Sequence, residues 1–82
     1  MPDLAALRLA WEAHDRWALT LHGNRAAQRV GAGVEVTNRL ADQTALVAEA
    51  LGVSSVSLVE RVAVARRTRG LTLADAITEV CA

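Results

Sequence analysis

Along most of the chain, apolar side chains recur at spacings of three and four. Leu4, Leu7, Trp11, His14, Ala18 and Leu21 lie on one such stripe, the mark of a helix with one buried face. Arg8, Glu12, Asp15 and Arg16 fall on the other side, spaced for i,i+4 ion pairs. Pro2 and Asp3 suit the start of this helix, by ring geometry and by charge at the dipole. Leu9 and Leu19 project away from the stripe, which predicts an interface. A further helix covers about residues 37–51. It has Leu40, Val47 and Leu51 on one face, a supporting Glu35–Arg39 pair, and Gly52 as its stop. Ser57 with Glu60 reads as a capping box for the next helix, with Ser54 and Ser55 as alternative caps. That helix runs to Arg69 and stops at Gly70. Thr72 caps a last short helix carrying Leu73, Ala76, Ile77 and Val80. No segment alternates like a strand, and no linker or repeat divides residues 1–82. The pattern predicts one all-α domain, a small helical bundle.

Gly23-Asn24 leaves two readings open. In the first, one long helix runs from Asp3 to about Val36, and Arg25, Arg29, Ala32 and Val36 continue the face of Trp11 and His14. Two arginines would then point inward and need an anion there, because an unpaired buried cation is very costly. In the second, the chain turns at Gly23-Asn24. Ala26, Val30, Gly33, Thr37, Leu40, Thr44, Val47 and Leu51 then form a cleaner stripe, whose small residues receive the tryptophans. The arginine spacing favours the first.

Composition narrows the function classes. Of 82 residues, 52% are hydrophobic and 22% charged, too apolar for a disordered chain. Nine arginines balance nine acids and lysine is absent, so the chain lacks the positive excess of a general polyanion binder. The longest apolar run is four residues, which excludes a membrane span and a signal-peptide core. One cysteine, Cys81, allows no internal disulfide and fits the cytoplasm. The core must be built from leucine, valine, alanine and two tryptophans, since phenylalanine and tyrosine are missing. A chain this short buries little of its surface, so a homodimer at micromolar concentration is expected.

Few residues carry chemistry. His14 and His22, eight apart, are too far to share a metal without other ligands, so His14 reads as a hydrogen-bonded core histidine. No nucleophile motif or phosphate loop occurs, and no cofactor is implied. Ala48, Gly52, Val53 and Ser54, with Leu58 as anchor, resemble a helix-turn-helix turn. The reading helix would show Ser54, Ser55, Val56, Val59, Glu60 and Ala63 to the groove, a poor set for base edges. The Arg61, Arg66, Arg67 and Arg69 cluster sits where the helix dipole alone favours cations. Specific duplex DNA binding is not expected.

One spacing set goes further. Leu7-Arg8, Trp11-Glu12, His14-Asp15, Leu19, Leu21 and Arg25, then Leu51-Gly52-Val53 and Val59-Glu60-Arg61-Val62, resemble the AroQ-class chorismate mutases. The resemblance covers most of residues 4–66. It implies a long first helix, an interlocked homodimer and binding of a chorismate-like dicarboxylate. Guanidinium forks suit such a dianion. By resemblance Arg25 holds a carboxylate from its own chain, Arg8 reaches the other chain's site, and Arg39 is the second-helix arginine. Arg29, one turn beyond Arg25, stands in for a lysine that the family has where Val36 stands here. Leu40 replaces an expected acid, and no glutamine stands near Ala76. The resemblance therefore implies a carboxylate site more than a complete mutase. The reading of another class is a non-catalytic helical module that binds a protein partner through Leu9, Leu19 and Val64.

Overall fold

The computed structural model describes the backbone of residues 2–23 and 30–82 and the side chains of residues 2–19 and 33–82. It is all-helical, with no strand among the described residues. The helices are α1 (Leu4–Gly23), α2 (Val30–Leu51), α3 (Ser55–Arg69) and α4 (Leu73–Val80). Among the described residues, no helix is long and apolar enough to cross a membrane.

Local signals set most boundaries. The Asp3 carboxylate accepts the Ala6 N–H at 2.9 Å and caps α1. Gly52 and Gly70 adopt φ of 71° and 64°, left-handed values that favour glycine and end α2 and α3. Thr72 caps α4 by accepting the Asp75 N–H at 3.2 Å. The expected Ser57–Glu60 box is replaced. Ser54 caps α3 and accepts the Ser57 N–H at 3.0 Å. Ser57 lies inside the first turn, where its own N–H is one of the donors that need a cap.

The long first helix is corrected. The helix that begins at Leu4 ends at Gly23, and α2 lies beside it. Leu7 and Trp11 of α1 share one core cluster with Val47 and Ala48 of α2. At the other end the Trp17 ring rests on Gly33. Late α1 thus meets early α2, so the two helices run antiparallel. On one straight helix Trp17 and Gly33 would stand about 24 Å apart. The stripe through Gly33, Thr44 and Val47 is the buried one, with Leu40 and Leu51 half-buried beside it. Its advantage is small side chains, which let a tryptophan approach the α2 backbone. The reversal removes the continuous helix on which an interior arginine face was expected; Arg25 and Arg29 themselves lie outside the described residues.

α3 lies on this hairpin through Leu58, Val62 and Ala65, and α4 closes the cluster with Leu73, Ala76 and Ile77. His14 is not in that core. Its side chain is about one-third exposed, its ring tilts against Trp17 at 5.9 Å, and its Nδ1 stands 3.7 Å from Asp15. The α1 core line is supplied by Leu7, Ala10 and Trp11, which leaves His14 at its margin.

Gly33 tests this packing. A Cβ there would stand 2.5 Å from the Trp17 ring. At an open helical site Gly→Ala gains about 1 kcal/mol in propensity. Overpacking costs about 1–3 kcal/mol. Gly33→Ala is expected to lower stability by about 1 kcal/mol net in urea denaturation. A gain of similar size would show that the ring does not occupy this notch.

Candidate functional site

Arg8 and Arg39, the two candidate arginines whose side chains are described, stand in different surroundings. Arg8 is half-buried and lines a hollow of about 180 Å³ with Leu4 and Ala5 of α1 and Ala74, Ile77 and Thr78 of α4. Arg39 lies on α2, is 60% exposed, and holds Glu35 of its own helix at 4.0 Å. Arg8's hollow does not include Arg39. Arg25 and Arg29 lie outside the described residues.

Two further arginines join helices. Arg66 joins α3 to α1 by reaching Asp15 at 3.5 Å. Arg69 pairs with Glu79 and ties the end of α3 to α4. Among the described residues, no group of three histidine, cysteine or acidic side chains could hold a metal. Cys81 is half-buried at the end of α4, and that burial pushes its thiol pKa up, away from the reactive thiolate. The Trp17 indole N–H is buried, and no acceptor among the described residues meets it.

The apolar surface is more organised than the charged one. Between α2 and α3 runs a groove of about 420 Å³. Leu40, Ala41, Val56 and Val59 line it, with Thr37, Thr44, Ser55 and Glu60. Thr44 is buried, and its hydroxyl donates to the Leu40 carbonyl at 2.6 Å. The threonine therefore shows the groove its methyl group rather than a free donor. Val56 is 68% exposed. Leu9 and Leu19 are exposed, as the sequence predicts, and Leu19 borders a hollow with Asp15, Ala18 and Arg66. Val64 is exposed on the side of α3 that faces α4.

The sequence reading found the outward residues of α3 and missed the groove. In the sequence pattern Val56 and Val59 read as groups a DNA reader would turn to the groove, and Leu40 reads as part of the α2 core stripe. The missed signal is that α3 is apolar on both sides, since Leu58 and Val62 face inward while Val56 and Val59 do not. No protein-family model, curated protein or solved structure matches the chain.

Arg8 is half-buried at a hollow lined mostly by apolar residues, a setting in which the aliphatic stem of an arginine covers apolar surface. Arg8→Ala is expected to cost about 1 kcal/mol in urea denaturation, while Arg8→Met, which keeps the stem, stays within about 0.5 kcal/mol of the parent. Equal losses in both variants would assign the guanidinium, not the stem, to this site.

Proposed function

We propose that this protein is a non-catalytic helical interaction module that docks an apolar helix face. The observation that carries this reading is the α2–α3 groove, whose lining continues onto exposed Val56 and Val59. Contiguous apolar surface on a small chain marks a site of association. A groove whose floor threonine is already hydrogen-bonded offers little to a polar ligand and much to aliphatic side chains.

The dicarboxylate-binding reading, drawn from the chorismate-mutase resemblance, has weaker support. It needs guanidinium forks converging on one dianion. Arg8 lines a hollow beside α4 that does not include Arg39, and Arg39 stands 4.0 Å from Glu35 on its own helix. An interlocked dimer needs a first helix shared between copies. With α2 folded back on α1, association by docking of finished surfaces fits better. We place the protein in the cytoplasm, where its single cysteine stays a thiol.

The test uses two probes on the isotopically labelled chain, followed residue by residue by NMR. A designed amphipathic peptide with a leucine and alanine face is expected to shift the resonances of Ala41, Val56 and Val59. Chorismate at about 1 mM, a concentration that detects even weak sites, is expected to shift none of the arginines saturably. Saturable chorismate shifts without any peptide response would overturn the reading.

A further inference from the structure

α3 carries apolar side chains on two sides and is covered on one. Leu58, Val62 and Ala65 enter the core. On the opposite side Val56, Glu60, Ala63 and Arg67 share an arc of about 60°, at 100° per residue, and all four are exposed. Val59 and Val64 flank that arc, 39% and 44% exposed. The arc thus sets two small apolar side chains, Val56 and Ala63, beside one acid and one cation.

We infer that the outer face of α3 is covered by the α3 of a second copy, packed antiparallel across a twofold axis near Ala63 and Val64. The inference rests on the interaction-module reading and names its partner. Three observations select a second copy. First, the charges on the arc are self-complementary. Glu60 and Arg67 sit about 5 Å on either side of the point midway between Ala63 and Val64. Neither has an ion-pair partner among the described residues. Antiparallel pairing about that point sets Glu60 against Arg67 of the second copy, twice by symmetry. Parallel pairing would stack like charges. Second, the centre is small. Ala63 lets the helix axes approach to the ~8 Å of close helix packing, while Val59, about 7 Å along the axis from that point, supplies apolar contact on either side by symmetry.

Third, the charge balance permits the pairing. A formal net charge of zero leaves no long-range repulsion to oppose the pairing.

The test is sedimentation equilibrium on the full chain, with circular dichroism to confirm helicity. The parent is expected to be a dimer at about 100 μM. Glu60→Arg alone and Arg67→Glu alone each turn two attractive contacts into repulsive ones, so each is expected to weaken dimerisation about tenfold. The double variant, with both charges exchanged, is expected to recover most of that loss. Ala63→Arg, which sets a bulky cation on the axis, is expected to give a folded monomer. A parent that stays monomeric at about 1 mM overturns the inference. So does a dimer indifferent to both charge exchanges and to Ala63→Arg, which would place the contact elsewhere. A monomeric parent that still binds the amphipathic peptide sinks the second copy and leaves the interaction module standing.

Discussion

Trp17 lies against α2 because residue 33 has no side chain. That contact decides which face of α2 turns inward and how closely the hairpin can close. In a chain with no phenylalanine or tyrosine, two tryptophans supply the only large aromatic surface. Everything else in the core is aliphatic, and much of it is alanine. Small side chains bury little area each, so they stabilise only where helices approach closely and dispersion contacts are dense. Ala10, Ala48, Ala65 and Ala76, all buried, repeat the same device along the bundle. The notch carries a cost. The Trp17 indole N–H loses water without gaining an acceptor among the described residues, which costs about 1–3 kcal/mol. Burial of an aromatic body is of similar or larger magnitude, which accounts for the ring staying where it does.

Much of the fold was legible in the sequence, and the physical reason is local. Gly52, Gly70 and Thr72 act through their own backbone or side-chain geometry, so no tertiary knowledge is needed to place the ends of α2 and α3 or the start of α4. The periodicity of α3 and α4 is legible for the same reason. Gly23 was not, because a glycine inside a helical pattern costs about 1 kcal/mol, too little to decide between a turn and a continuous helix. What decided it is a contact between residues 17 and 33, which no local window contains. Ser54 prevailed over Ser57 as cap on equally fine grounds, since three serines within four positions offer nearly equal local chemistry.

The candidate site was less legible, because arginine spacing alone carries little information. A guanidinium at a given interval can bind an anion, pair with its own helix or cover apolar surface. Arg39 does the second with Glu35, and Arg8 is placed for the third beside Ile77. Apolar surface poses the converse problem. Val56 and Val59 look the same in sequence whether they face a core, a partner or a groove in DNA. Only the position of Leu58 and Val62 on the inner side shows that these valines face out of the core, Val56 largely exposed and Val59 partly so.

The turn before α3 shows how one local feature can serve different ends. Gly52-Val53-Ser54 joins two helices as a DNA-binding motif would, and Leu58 is buried as the anchor of such a turn should be. The connection therefore reports packing between α2 and α3, not what α3 touches outside. That is decided by the outward side chains. A base reader needs donors and acceptors in fixed geometry, and this arc offers Val56, Ala63, one acid in Glu60 and one cation in Arg67. Phosphate contacts need several cations free to leave the surface; Arg66 is held by Asp15 and Arg69 by Glu79, which leaves Arg61 and Arg67 of this cluster beside the acid Glu60. Both pairs draw Arg66 and Arg69 back onto α1 and α4, and the arc that remains, with one acid and one cation on either side of Ala63, suits another helix better than a polyanion.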